Sequence, residues 1–358
     1  MKAMILAAGV GSRLAPITDH TPKPLVPVLG KPVITRILEL LRANGFTQFI
    51  ANTHYLGDKI QKVYSEEITI RHEETLSGVA GGIRACKDFL QKGNETIAII
   101  MGDALTDIDF SEMLVQHRAS GALATMAIKQ VPDTSQFGVV CFDDDNRVTS
   151  FQEKPKPAEA LSNWANTGVY IFESQVLDYI PSEEEAPVYD VAKNLFPDLL
   201  KKDIHMNVYK TNAYWADLGT HAQYRQTLFD CLNGVIKVDV EGQKYSWGYL
   251  GQDSEMSAGC FVKGKAFIGK NCKLGQSILK GNVVIEDNCV IEDNVVLEDC
   301  LVLSGSVIKS GSIVQDKNIA PDKIEEPSTE TVYKNVKTDS SLFELFKKAS
   351  EKVNFFKS

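Results

Sequence analysis

No two of the seven cysteines stand in a Cys-x-x-Cys pair, and their number is odd. That argues against a disulfide framework and makes a reduced, cytoplasmic setting the simplest expectation. No apolar run is long enough to cross a bilayer, and Met1-Lys2-Ala3-Met4-Ile5 leads into a predicted core strand rather than a signal peptide. Positive charge is in deficit: 38 Lys and Arg stand against 47 Asp and Glu, a formal net charge of −9, so general nucleic-acid binding is not expected. Histidine is scarce as well, with six residues at 20, 54, 72, 117, 205 and 221 and none beyond.

What is present is a chain of 358 residues, enough for two domains and for a large core without covalent staples. An acidic protein must concentrate cations locally to bind an anion. Arg13, Lys23, Lys31 and Arg36 do so against a lone Asp19 before Glu39.

The run Met4-Ile5-Leu6-Ala7-Ala8 reads as a buried strand that ends in Gly9 and Gly11, with Ser12-Arg13 next and Lys23 between two prolines. A strand feeding a Gly-rich loop aims backbone N–H groups at whatever docks there, and such nests favour phosphate. Arg13 offers a planar fork and Lys23 a mobile point charge. Two glycine motifs fail: Leu14 replaces the third Gly of a dinucleotide fingerprint, and Gly11-Ser12-Arg13 is not Gly-Lys-Ser/Thr. A plain tight turn with solvated cations is the alternative, and it needs the strand, both glycines, the Arg and the Lys to coincide.

Apolar spacing predicts a helix over 33–44, a strand over 46–52, a helix over 57–64 and a short strand over 68–72. A Gly-rich segment at 76–82 opens a helix through 90, and the Ile-rich run 96–101 reads as a strand buried on both faces. Strands alternating with helices predict an α/β fold with a doubly wound, mostly parallel sheet. Ligands gather at the carboxyl ends of such strands, so Asp103, just after the fourth, is placed to hold Mg²⁺; a turn or helix-capping Asp is the alternative. The texture then becomes β-rich, with strands over 124–129, 138–142 and 148–153, a helix over 189–201, a strand over 205–210 and a helix over 220–232.

Gly9-Val10-Gly11-Ser12-Arg13 followed by Pro22-Lys23-Pro24 resembles the sugar-1-phosphate nucleotidylyltransferases. The resemblance implies a Rossmann-like catalytic domain over 1–235 in which Ala7, Ala8, Gly9, Gly11, Ser12, Arg13 and Lys23, with Ser77, Gly78 and Gly81, hold the nucleotide. It implies that Asp103 and Asp217, in Trp215-Ala216-Asp217-Leu218-Gly219-Thr220, bind Mg²⁺, and that Arg13, Lys23, Asp103 and Asp217 are the catalytic set. Phe137-Gly138, Glu153-Lys154-Pro155 and Asn166-Thr167-Gly168 resemble the sugar-recognition motifs, which would place Gly138, Glu153, Lys154 and Asn166 around the sugar phosphate. The implied substrates are a nucleoside triphosphate and a sugar-1-phosphate. The leading expectation is a mannose-1-phosphate guanylyltransferase. Ala7-Ala8-Gly9 and Leu76-Ser77-Gly78-Val79-Ala80-Gly81 depart from the Gly-Gly start and Leu-Gly-Thr-Ala-Gly of guanylyltransferases. Uridylyl or thymidylyl transfer, or a non-catalytic NDP-sugar sensor, therefore stay open.

After a linker at 236–257 the periodicity becomes six: Ile268, Leu274, Ile285, Ile291, Leu297 and Leu303 mark successive hexapeptides, with five-residue slips at 274–279 and 303–308. Such repeats predict a short parallel β-helix over 258–320, with Cys272 and Cys289 inside it as small apolar groups, and the resemblance to hexapeptide families implies a left-handed coil. Hexapeptide acyltransferases generally need a base, commonly His, and the repeats carry none, so that activity is not expected. Residues 321–339 read as a polar linker. Leu342, Phe346, Ala349, Val353 and Phe356 then form the stripe of an amphipathic helix, with a membrane surface as its minority partner. A homo-oligomer assembled through the β-helix or this helix is expected.

Overall fold

The computed structural model describes residues 1–93 and 95–321. The polar linker and amphipathic helix expected over 321–358 lie, from residue 322 on, outside the described residues. Two compact units divide the chain, one of Met1–Val26 with Pro32–Gly219, the other of Pro27–Lys31 with the residues from Thr220 on.

The first unit is built on a nine-stranded mixed sheet. Its elements begin β1 (Lys2–Ala7), α1 (Val33–Ala43), β2 (Gln48–Thr53), α2 (Gly57–Tyr64), β3 (Thr69–His72), α3 (Gly78–Ala85) and β4 (Ile97–Met101). They continue with β5 (Ala104–Thr106), α4 (Phe110–Ser120), β6 (Ala124–Gln130), β7 (Gly138–Phe142), β8 (Val148–Glu153), β9 (Trp164–Phe172), α5 (Phe196–Lys201), β10 (Met206–Lys210) and β11 (Trp215–Asp217). The main path runs β8-β7-β9-β4-β1-β2-β3, with β6 beside β9 and β10 beside β6. The expected parallel order holds from β4 through β3. The sheet turns antiparallel at β9, which pairs with β4, β6 and β7 in that sense. The Rossmann-like half is thus parallel and the half that carries the sugar motifs is mixed.

Burial on both faces explains why β4, and β1 after Lys2, are apolar throughout. Met4, Leu6, Ile97 and Ile99 pack with Ala80 and Ile83 of α3 on one face. Ala3, Ile5, Ala98 and Ile100, which point the other way, are equally buried. The helix expected over 78–90 breaks at Cys86. The one expected over 189–201 begins instead as a wide turn, Val191–Leu195, capped by the Asp190 carboxylate, and becomes α-helical only at Phe196. Pro197, with no N–H to give, suits the first turn of that helix and not its interior.

The second unit opens with α6 (His221–Asn233), whose N-cap Thr220 accepts from Gln223 N and whose end is closed by Gly234 at φ 75°. The stretch 236–257, expected as a linker, contains β12 (Gln243–Tyr245), β13 (Gly248–Leu250) and β14 (Glu255–Met256). There follow β15 (Phe261–Ile268), β16 (Lys273–Leu274), β17 (Ser277–Ile285), β18 (Val290–Ile291), β19 (Val295–Val302), β20 (Val307–Ile308), β21 (Ile313–Gln315) and β22 (Asn318–Ile319). All but the β12–β13 hairpin pair in parallel. Glu255 lies beside Lys273, Lys273 beside Val290, and Val290 beside Val307, so each rung returns after 17 or 18 residues. Three hexapeptides give 18, and one five-residue slip gives 17. Ile268, Leu274, Leu279, Ile285, Ile291 and Leu297 fill the interior together with Cys272, Cys289 and Cys300, an arrangement consistent with a parallel β-helix.

Asn271, Asn288, Asn294, Asp253 and Asp299 turn the corners at φ between 51° and 60°, in the left-handed region that Asn and Asp tolerate best. Inside this unit the Tyr224 hydroxyl of α6 lies 2.6 Å from Pro27 O and 2.7 Å from Glu286 Oε1. A carbonyl can only accept, and one hydroxyl proton cannot serve both oxygens. A proton on the Glu286 carboxyl completes the set. Burial pushes that carboxyl above its ordinary range, with Asp287 adding to the effect, while the contact with the Tyr224 hydroxyl and the bonds from Ser304 oppose it.

Candidate active site

The carboxyl ends of β1 and β4 lie side by side, and Gly102 makes this possible: a Cβ there would sit 2.8 Å from Leu6 O. Beyond β1 the chain leaves the sheet at Gly9 and Val10, both exposed. Among the described residues the backbone N–H groups of Gly9, Val10 and Gly11 meet no acceptor. Gly11 turns left-handed at φ 73°, and a Cβ on it would lie 2.8 Å from Lys23 Cγ. The loop thus closes over the Lys23 stem and directs the ammonium toward the strand ends. A cleft of about 50 Å³ opens there, lined by Leu6, Ala7, Gly9, Lys23, Met101 and Asp103 among others.

Asp103 and Asp217 are 114 positions apart in sequence and are brought together by backbone pairing. The short strand β11 runs antiparallel to β5 with Asp217 opposite Ala104, and Leu218 N donates to Asp103 O at 3.0 Å. Lys23 bonds the Asp103 carboxylate and lies 3.7 Å from Asp217 Oδ1. That Oδ1 is buried without a hydrogen-bond partner. Burial first, then the Asp103 charge, raises the Asp217 carboxyl to about 6, with Lys23 and Arg13 acting in the opposite sense. A buried carboxylate oxygen with no donor, beside a second carboxylate, fits a small hard cation that keeps its remaining positions for water and phosphate. Among the described residues no group of three or more acidic, His or Cys side chains is placed to hold a metal ion. Arg13, in a short turn over Ser12–Leu14, is exposed.

On the other side of the loop, Ala7 N donates to Asn52 Oδ1 at 3.1 Å, so its N–H is spent inside the fold. Ala8 is buried and Ser12 exposed. Ser77, Gly78 and Gly81 form the turn into α3, which is tied to the chain ahead of α5: Tyr189 N donates to Ser77 O and Gly81 N to Tyr189 O, both at 2.8 Å. Gly78, at φ 79°, is where a Cβ would meet Tyr189 O at 2.7 Å.

The residues matched to sugar recognition gather along β7, β8 and β9. Gly138 pairs with Glu153 across β7 and β8, and Lys154 follows at φ 47°. Burial raises the Glu153 carboxyl, against the pull of Lys154. Asn166 precedes a bulge in β9, donates to Tyr170 Oη at 2.9 Å and accepts from Gly168 N at 3.1 Å.

Sequence reasoning missed Asn52, Glu73 and Tyr189. The first two stand at or just beyond the carboxyl ends of β2 and β3, the same signal that found Asp103. A larger open groove of about 380 Å³ on the second unit has only Glu255 and Lys273 as charged lining and gathers no comparable set of groups.

A family model described as nucleotidyl transferase matches residues 2–233. A UTP–glucose-1-phosphate uridylyltransferase of Synechocystis is 36% identical over 310 residues, covering 76% of this chain and 79% of that protein. A mannose-1-phosphate guanyltransferase of Schizosaccharomyces pombe is 31% identical over 283 residues, covering 76% and 74%. Among solved structures, a Bacillus anthracis chain provisionally assigned as a glucose-1-phosphate thymidylyltransferase superposes with a TM-score of 0.58 at 26% identity, covering 68% of this chain and 98% of that one. The chain therefore belongs to the nucleotidyl transferase family, as a sugar-1-phosphate nucleotidylyltransferase.

Proposed function

We propose that the protein joins UTP and glucose-1-phosphate into UDP-glucose and pyrophosphate at the ends of β1 and β4. The observation that carries the chemistry is the trio Lys23, Asp103 and Asp217, drawn together beneath a Gly-rich loop. A sugar-phosphate oxygen attacks the α-phosphorus, the new P–O bond forms, and the bond to the β-phosphate oxygen breaks with its electrons leaving on pyrophosphate. The nucleophile is already an anion, so no proton need move and no covalent enzyme intermediate is needed. Catalysis then rests on in-line positioning and charge neutralisation.

Gly9, Val10 and Gly11 would cradle the triphosphate through backbone N–H groups, and Arg13 and Lys23 would offset its charge. Asp103 and Asp217 would hold Mg²⁺, which supplies charge neutralisation on the phosphates when bound. Gly138, Glu153, Lys154 and Asn166 would bind the sugar phosphate, Glu153 and Asn166 through hydroxyl groups and Lys154 through the phosphate.

The uridylyl choice is supported by the Synechocystis relative and by the departures of Ala7-Ala8-Gly9 and Leu76–Gly81 from the guanylyltransferase pattern. The sequence reading favoured GTP and mannose-1-phosphate, and the relative from Schizosaccharomyces pombe supports that as the second reading. The parallel 17- and 18-residue rungs of the second unit support a β-helix; we propose that it is left-handed and mediates homo-oligomerisation, which light scattering of the whole chain tests. Pyrophosphate release from each triphosphate paired with each sugar-1-phosphate separates the two substrate readings.

A further inference from the structure

Glu73 is buried, with 7% of its surface exposed, and its carboxylate takes no part in the chemistry proposed above. All its side-chain bonds are accepted. Asn52 Nδ2 donates to Oε1 at 2.7 Å, while Ser77 Oγ and Ser77 N donate to Oε2 at 2.5 and 3.3 Å. Asn52, equally buried, uses its other end to accept from Ala7 N at 3.1 Å. A continuous path therefore runs from the end of β1 through Asn52 and Glu73 to Ser77 at the start of α3. Its backbone is pinned as well: Glu73 N donates to Thr53 O at 2.7 Å, and the Glu73 carbonyl lies 2.8 Å from His54 Nδ1.

Two glycines leave room for this path. A Cβ on Gly82 would lie 2.4 Å from Asn52 Nδ2, and one on Gly81 would lie 2.5 Å from Ser77 Oγ. The glycine pair thus serves internal side chains and is explained without any ligand contact.

We propose that Asn52 and Glu73 are positioning residues for the nucleotide: they fix the separation between the Gly9–Arg13 loop and the Ser77–Gly78 turn. The inference rests on reading those two segments as the triphosphate and base sides of one site. A carboxylate accepting three donors in a buried setting is a stiff spacer, because its bonds are charge-assisted and no solvent competes for them. Neither side chain need touch the substrate. The cost of loosening the path falls on nucleotide binding, while the sugar motifs on β7, β8 and β9 lie on other strands.

The test is steady-state kinetics of Glu73→Gln and Asn52→Ala with UTP and glucose-1-phosphate in Mg²⁺, together with equilibrium binding of UTP alone. Where the wild type turns over GTP and mannose-1-phosphate instead, that pair is used. Glu73→Gln keeps the shape but replaces one acceptor with a donor, so a bond to Ser77 or Asn52 is lost. The expected result is a roughly tenfold rise in the KM and Kd for the triphosphate, with kcat and the sugar KM within about twofold of wild type. The double variant should be no worse than the poorer single, since both break one path. Unchanged triphosphate KM in folded variants, an equal rise for both substrates, or full additivity overturns the proposal. Where Glu73→Gln does not fold, Asn52→Ala alone must show the same split, and its absence is equally decisive. A wild type that binds and turns over no pair overturns the functional reading itself, and this inference with it.

Discussion

Gly11 shows how one residue serves geometry and chemistry together. Its left-handed φ and the 2.8 Å approach of Lys23 Cγ leave no space for a methyl group. Gly11→Ala should cost only about 1–2 kcal/mol of stability from the backbone. It should lower turnover about tenfold or more, because Lys23 must move; a thermal melt beside a rate measurement checks both. Asp217→Asn should lower kcat by roughly 10²–10³ while leaving the fold intact, since the buried Oδ1 has no hydrogen bond to lose. Circular dichroism at unchanged amplitude with an unchanged rate would remove Asp217 from the mechanism. Lys23, Asp103 and Gly11 were legible because each sits in a local motif. Asn52 and Glu73 were not, because their importance arises from partners 45 and 21 positions away, Ala7 for Asn52 and Asn52 for Glu73.

Among elements, those with strong periodicity matched closely: the helix over 57–64 and the strands over 138–142 and 148–153 have the expected bounds. The antiparallel pairings of β9 and of β7 with β8 were not legible, because a strand's apolar pattern says nothing of its neighbours' direction. β5 and β11, three residues each, were too short to show periodicity, although they bring the two aspartates together. In the second unit the paired strands return after 17 or 18 residues, offsets consistent with hexapeptides interrupted by five-residue slips. Where α6 meets the rungs, the Glu286 carboxyl is raised by burial, so the folded state binds a proton that the unfolded chain has released. Stability from this group is complete below the ordinary carboxylate range and is lost as pH rises from there through the raised value. Glu286→Gln reproduces the protonated carboxyl, donating toward Tyr224 and accepting from Ser304. Its melting temperature at alkaline pH should equal or exceed that of wild type, and the wild-type decline above the ordinary carboxylate range should flatten. A lower midpoint at every pH with an unchanged slope would contradict the protonated assignment. Leu297, fully buried among the rungs, should cost about 2–5 kcal/mol on Leu297→Ala, read by urea unfolding.

At the scale of the whole molecule, the chain divides into two compact units. Their division falls at Gly219 and Thr220, so the helix that follows Asp217-Leu218-Gly219-Thr220 groups with the parallel strands of the second unit, as do Pro27–Lys31. Such an excursion cannot be read from local pattern, since five residues carry no period. Among the described residues no helix is long and apolar enough to cross a membrane.

The reaction proposed for the Lys23, Asp103 and Asp217 site is nucleotidyl transfer. Its most direct test is pyrophosphate release in Mg²⁺ from UTP, GTP, dTTP and ATP, each crossed with glucose-, mannose- and N-acetylglucosamine-1-phosphate, in wild type and in Asp217→Asn. The account predicts release from one preferred pair, UTP with glucose-1-phosphate, that falls at least about a hundredfold in the variant. Release that survives in folded Asp217→Asn, or folded wild-type protein that binds UDP-glucose yet releases pyrophosphate from no pair, would contradict it.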